Sequence, residues 1–266
     1  MIETLALDIR RGGRPLVAGL DVAVAAGEIL VLAGPNGTGK SSLIATLAGD
    51  IAPASGRIRL AGRPLAALSV AEQGRLRAVL PQRPSIAFPF PVHEVVAMGL
   101  HPHGLSPHGA MGARCLGRAM EAMELGEMAG RPASALSGGE QQRVHLARAL
   151  AQAMAGLALG GQAAILLDEP TTGLDYRHQS RLEAVLRALA GEGAAILASL
   201  HDLSLAARLA DRLLLLAHGR AQACGAPDEV LTHARLAHCF GLTEIEASRH
   251  LGARPQHLAL AATSGP

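Results

Sequence analysis

The octapeptide GPNGTGKS at 34–41 admits few folds. It follows an apolar run (Ile29, Leu30, Val31, Leu32, Ala33) and precedes a helix-like run opening Ser42, Leu43, Ile44. Strand, glycine loop and helix in that order form the context in which G-x-x-x-x-G-K-[ST] closes on phosphate. Gly34, Gly37 and Gly39 permit positive φ and leave no Cβ between the backbone and an anion. The loop, which also carries Pro35, Asn36 and Thr38 and runs into Ser42, can then aim N–H groups into one concavity. That concavity lies at the positive end of the following helix. Lys40 adds a mobile charge for β- and γ-phosphates, and the Ser41 hydroxyl is a hard oxygen ligand suited to Mg²⁺. A nucleoside triphosphate is the expected ligand.

Two further stretches carry chemistry. AAILLDE at 163–169 is an apolar strand that ends in two adjacent carboxylates. Ligands of open α/β sheets sit beyond the carboxyl ends of strands, so these acids are expected to face the phosphate loop. Asp168 would hold Mg²⁺, and Glu169 would accept a proton from the water that attacks the γ-phosphate, or orient it. The sequence Leu136-Ser137-Gly138-Gly139-Glu140 opens a long amphipathic helix. Its hydroxyl, N–H groups and dipole make a second anion site. An ordinary capping box of Ser137 with Glu140 explains the same residues locally but leaves the glycine pair over. One phosphate loop and two phosphate-seeking helix ends point to two chains arranged head to tail, each lending Ser137, Gly138 and Gly139 to the other's nucleotide.

Taken in order, residues 2–9 and 16–24 alternate apolar and polar around a turn at 11–15, an antiparallel hairpin. A short strand is expected at 57–60, a helix over 64–77 and a strand at 78–80. From 83 to about 130 the chain turns proline-rich and then helical (118–128), like an inserted helical lobe. The long helix is expected over 137–155. Strands and helices then alternate at 163–167, 178–190, 194–200, 203–210 and 212–217, implying a parallel sheet covered on both faces. A short strand and two modest helices close the fold, and only the last few residues look disordered.

With 266 residues the chain can bury a large core. Aromatics are 2% and the net charge of +2 is dispersed, so neither base-stacking surfaces nor a polyanion partner is implied. Cys115, Cys224 and Cys239 match neither a disulfide framework nor a zinc pattern and read as reduced, cytosolic thiols. The first residues lack the apolar core of a signal peptide. The uncharged stretch 149–167 reaches transmembrane length but is broken by Gly156, Gly160 and Gly161, and reads as helix end, loop and buried strand.

GPNGTGKS, LSGGE and ILLDEP in this order resemble the nucleotide-binding subunit of ATP-binding cassette (ABC) transporters, over about residues 2–240. The resemblance implies a P-loop NTPase α/β core with a parallel sheet, an N-terminal antiparallel β subdomain and an inserted α-helical subdomain. It would place the ATP-binding domain at 2–242, the helical subdomain at about 84–158 and a C-terminal extension at 243–266. It also implies ATP and Mg²⁺ as cofactors and three further positions. Gln82 resembles the loop glutamine that contacts Mg²⁺ and couples the site to the helical lobe. Thr172-Gly173-Leu174-Asp175 resembles the loop that meets the partner subunit, and His201 the histidine touching the γ-phosphate. The family's adenine-stacking aromatic is missing; Arg10, Arg11 and Arg14 stand in that stretch, and a guanidinium plane can stack on a base. MAGLALGGQ at 154–162 exceeds the usual spacing and reads as an extra surface loop.

The run from Pro81 through FPFPVHEVVAMG at 88–99 resembles the haemin-import ATPases, within the group serving iron-siderophore and cobalamin importers. By that resemblance the chain is an ATPase subunit, peripheral on the cytoplasmic face of the inner membrane. Its partners would be a second copy, two transmembrane permease subunits and, indirectly, a periplasmic substrate-binding protein. Nucleic-acid and ribosomal cassettes fit less well. The segment 40–137 holds no long coiled coil, and ribosomal members usually carry two cassettes. His101, His103 and His108 lie in a Gly/Pro-rich stretch expected to be a loop without ligand geometry.

Overall fold

The strand Ile29–Ala33 is buried along its whole length, and its alternation divides the protein into two cores. Ile29, Val31 and Ala33 join one apolar cluster, Leu30 and Leu32 the other. A strand covered on both faces is the kind that reads as an unbroken apolar run. The computed structural model describes residues 1–82, 84, 88–243 and 246.

β1 (Ile2–Arg11) and β2 (Arg14–Val24) form the expected hairpin. After β3 (Ile29–Ala33) and α1 (Lys40–Leu47), β4 (Ser55–Leu60) and the two-residue β5 (Arg63–Pro64) complete a four-stranded antiparallel sheet in the order β2-β1-β4-β5. Its inward side chains, among them Leu7, Ile9, Leu20 and Ile58, pack with Leu43 and Leu47 of α1 and with Leu30 and Leu32. The helix expected over 64–77 is shorter. Pro64 pairs with β4, 65–67 is a 3₁₀ turn, and α2 (Val70–Leu76) begins only where Ser69 and Glu72 close a capping box.

β6 (Arg77–Leu80) leads through the proline-rich entry, where Arg83 and 85–87 lie outside the described residues, to α3 (Val92–Ala97). The 98–103 stretch is a 3₁₀ helix rather than a free loop, with His103 half-buried against α5 at Gly156. α4 (Ala110–Ala122) starts and stops earlier than the expected 118–128, because Glu124 turns the chain at φ +51°. α5 (Gly138–Ala158) corrects the expectation of an extra loop at 154–162. Met154, Ala155 and Gly156 are buried in the helix, which ends at Leu159 and Gly160. Those residues are apolar and small, so tertiary packing extends the helix through them.

The rest is strand and helix in alternation: β7 (Ala164–Asp168), α6 (Tyr176–Gly191), β8 (Ala195–Ser199), α7 (Leu203–Leu209), β9 (Arg212–Ala217), β10 (Arg220–Gly225), α8 (Pro227–Val230) and α9 (His233–Phe240). The main sheet runs β10-β9-β3-β8-β7-β6, parallel apart from β10. α5 packs on this sheet and on the helices before it, burying Val144, Leu146, Ala147, Leu150 and Ala151. The expected C-terminal extension and disordered end lie, past Thr243 and apart from Glu246, outside the described residues. No helix of the described residues is long and apolar enough to cross a membrane.

His145 of α5 is a measurable weak point. It is 5% exposed, neither ring nitrogen has a hydrogen-bond partner, and burial pushes its pKa down to about 4. The unfolded chain binds this proton near the ordinary value of 6.5 and the folded one does not. Stability from this group is therefore complete above 6.5 and is lost as pH falls toward 4. Denaturant titrations at pH 5 and 7.5 should show a larger loss for the wild type than for His145→Leu. Equal losses would refute the assignment.

Candidate functional site

The sheet order decides the site. β8 lies between β3, which feeds the phosphate loop, and β7, which ends in the two acids, with β6 beyond. The register Leu32↔Ser199 and Asp168↔Ser199 aligns three carboxyl ends, and Leu80↔Leu167 adds the fourth. Parallel strands in register thus release the phosphate loop, His201, Asp168-Glu169 and Gln82 at one edge.

The loop is shaped by glycine. Gly34 adopts φ +147°, and a Cβ there would lie 2.0 Å from the Leu216 carbonyl oxygen, so nothing larger fits against β9. Gly39, at φ +100°, caps α1 without a side chain. The Lys40 ammonium folds back to donate to the carbonyls of Gly34 (2.6 Å) and Pro35 (2.9 Å), and Thr38 Oγ1 donates to Pro35 O. Burial lowers the Lys40 pKa, while Glu169 and Asp168 oppose that shift.

Glu169 is the meeting point. Gln82 Nε2 donates to its Oε1 at 2.9 Å, and His201 Nε2 lies 2.6 Å from the same oxygen. Thr172 Oγ1 reaches its other oxygen at 3.4 Å. The residue sits at φ +50°, a conformation rare for a side chain of this size, which turns its carboxylate off the strand axis. Gln142 of α5 donates to the carbonyls of Glu169 and Pro170, tying the long helix to the strand end.

Around these groups runs a cleft in two lobes. One, about 460 Å³, is lined by Asn36, Gly37, Gly39, Lys40, Glu169 and His201, with Arg11 and Leu16 on its rim. The other, about 310 Å³, gathers Ser41, Gln82 and Asp168. Arg11, Ser41, Ser42 and Gln82 line both lobes, Arg10 the second alone, and Arg14 neither. Ser137, Gly138 and Gly139 line neither lobe. Ser137 and Glu140 form the capping box, with Ser137 N–H donating to Glu140 Oε2 at 2.8 Å, and Glu140 is held below the usual carboxylate range by those bonds. Gly139 backs onto the loop at 172–175: a Cβ there would lie 2.5 Å from the Gly173 carbonyl oxygen. At Gly138 a Cβ would meet nothing within 4 Å.

A phosphate loop, a Ser-Gly-Gly at a helix start and paired acids at the end of another strand of the same sheet narrow the field, and one comparison closes it. The family described as ABC transporter matches residues 17–172. The chain belongs to the ABC transporter family. It binds ATP and is an ATPase.

Within that family the chain is similar to hemin import ATP-binding proteins. It is 44% identical over 242 residues to that of Pseudomonas entomophila (strain L48), covering 91% of this chain and 93% of the relative. It is 46% identical over 234 residues to that of Streptomyces coelicolor, covering 88% and 81%. Among solved structures it resembles an ATP-binding subunit of an ABC transporter, with a TM-score of 0.74, 25% identity and coverage of 95% of this chain and 100% of that one. A bacterial Atm1-family ABC exporter with ATP bound shares the fold at a TM-score of 0.73 and 23% identity, covering 96% of this chain and 42% of that one.

The donor set in the ABC cleft suits Mg²⁺. Ser41 hydroxyl, Asp168 carboxylate and the Gln82 amide oxygen, whose nitrogen is already committed to Glu169, are hard oxygen atoms on one lobe that would fit such a cation. Sequence reading left one residue of the cleft among three candidates and missed another. Arg11 was one of three arginines with equal claims; it lines both lobes, where Arg10 lines one and Arg14 neither. Ser199 carried one faint signal, a hydroxyl in an otherwise apolar strand, and it is fully buried against Asp168.

Proposed function

We propose that this ATPase powers haem import. Two copies would sandwich two ATP molecules head to tail and drive a membrane-spanning permease dimer. Residues 2–242 would form the ATP-binding unit, with 84–158 as its helical part and 243–266 as an extension. The carrying observation is the convergence of Gln82 and His201 on the Glu169 carboxylate beside the phosphate loop. Gln82 begins the segment leading into the helices, so movement there would be felt at the carboxylate.

In this reading Lys40 and the loop N–H groups hold the triphosphate, and Ser41, Gln82 and Asp168 hold Mg²⁺. The metal, when bound, supplies charge neutralisation to the phosphate oxygens. Glu169 takes up or orients the proton of the attacking water, and His201, already within hydrogen-bond reach of Glu169, faces the γ-phosphate. Arg11 offers a guanidinium face to the purine. Ser137, Gly138 and Gly139 would serve the partner copy's nucleotide. Support comes from the open space over Gly138 and the N-terminal dipole of a 21-residue helix.

The permease is expected on the surface around Phe88 and Phe90, exposed rings packed edge to face at 6.0 Å, and α3. The substrate is taken from the relatives named for hemin import. A periplasmic binding protein would act through the permease, and the ATPase would sit on the cytoplasmic face of the inner membrane.

The test is ATP hydrolysis by the subunit assembled with its permease in liposomes. Haem-loaded binding protein should raise the rate severalfold, and ferric-siderophore- or cobalamin-loaded proteins should not. Stimulation by either of those instead would move the assignment within the group. In the same assay Ser137→Arg should leave nucleotide binding by a single subunit intact and abolish hydrolysis. Unaltered hydrolysis would exclude a shared site.

A further inference from the structure

Ser199 ends β8 opposite Asp168 and is fully buried. Its hydroxyl does two things at once. It donates to Asp168 Oδ1 at 2.6 Å, and it accepts from the backbone N–H of Glu169 at 2.9 Å. A hydroxyl has one proton to give and lone pairs to receive with, so both bonds can be made together. Each constrains one of the adjacent acids in a different way.

We propose that Ser199 is the positioning residue that divides the work between these two carboxylates. The inference rests on the reading of Asp168 as metal holder and Glu169 as proton acceptor. By occupying Oδ1, the hydroxyl fixes the rotamer of the buried Asp168 and leaves the remaining lone pairs for the cleft. By anchoring the Glu169 amide, it helps hold the backbone at φ +50°, the conformation that turns the second carboxylate toward Gln82 and His201. Without the anchor the strand would tend to continue past Asp168 in extended geometry. Successive side chains would then point to opposite faces, and the two acids could not both address one cleft. Outer partners of this kind tune metal sites: removing them typically costs about 10–100-fold in metal affinity or activity.

The experiment compares Ser199→Ala, Ser199→Thr and Asp168→Asn in the full chain. It reads the free Mg²⁺ concentration giving half-maximal hydrolysis, binding of a fluorescent ATP analogue with and without Mg²⁺, and thermal unfolding. Ser199→Ala is expected to raise the Mg²⁺ requirement about tenfold and lower kcat while metal-free nucleotide affinity stays unchanged. Ser199→Thr, which keeps the hydroxyl, should recover most of both. A Ser199→Ala protein with an unshifted Mg²⁺ requirement, or one whose only change is a lower melting temperature, overturns the inference. Should the alanine variant not fold, Ser199→Cys, near-isosteric and a weak donor, must show the same shift in reduced size or the inference falls. If Asp168→Asn also leaves the Mg²⁺ requirement untouched, the metal reading itself has failed. If Asp168→Asn shifts it and Ser199→Ala does not, only the role of Ser199 is lost.

Discussion

Glu169→Gln is expected to stop multiple turnover while ATP still binds. The substitution is nearly isosteric, keeps an oxygen for Gln82 and His201, and leaves the anchored backbone alone. What disappears is the negative charge and the ability to take a proton. A positioned general base contributes about 10²–10⁴-fold, so kcat should fall by that order with little change in nucleotide affinity. On the proposed pairing of two copies around ATP, ATP-loaded Glu169→Gln should accumulate as a dimer on size exclusion, because the step that would reopen such a pair is blocked. Hydrolysis within a few-fold of wild type would contradict the proton-acceptor role. A variant that is inactive and also fails to bind ATP would mean that the site had been disordered, not chemically disarmed.

Lys40→Ala separates binding from stability. Lys40 as a residue is 5% exposed, its ammonium donates to two loop carbonyls, and its pKa is lowered because burial outweighs the attraction of Glu169 and Asp168. A cation held against its desolvation contributes little net stability. Its loss should leave the melting temperature of the nucleotide-free protein within a few degrees of wild type. The triphosphate, by contrast, loses a charge-assisted partner worth roughly 1.5–3 kcal/mol per bond, which corresponds to about 10–100-fold or more in affinity. Calorimetric titration with ATP should show that loss, and wild-type affinity would refute the phosphate-loop assignment.

The two variants report on different parts of the same cleft and should not be interchangeable. Lys40 opens α1 and Glu169 lies past the end of β7, and both line one lobe of the cleft. The protein with Lys40→Ala should fail to dimerise with ATP, and that with Glu169→Gln should dimerise too well.

Long apolar strands were the legible part of this chain. β3, β7 and β8 are buried along their whole lengths, and a run that must be dry on both faces has little alternative pattern. Helix limits between β6 and β7 were less legible. Arg118 to Met128 has helical composition, yet α4 ends at Ala122 because Glu124 leaves the helical region and its carboxylate is taken by Arg177 and Arg181 of α6. Residues 154–158 were expected as part of an extra loop because the stretch exceeds the usual spacing, and packing made them helix. In both places a contact distant in sequence outweighed local propensity.

The same division holds for the site. Sequence by itself determined the phosphate loop, the paired acids and the signature, because each is a contiguous string whose chemistry depends on neighbours along the chain. Only the tertiary structure decided that Arg10 and Arg11 but not Arg14 line the cleft, that Gln82 and His201 meet on one oxygen of Glu169, and that a serine thirty-one positions from Asp168 holds its carboxylate. Those facts follow from strand order and register. Hydrogen bonds across parallel strands align residues by pairing between distant segments, and that pairing is set by burial of whole faces, which no short stretch encodes.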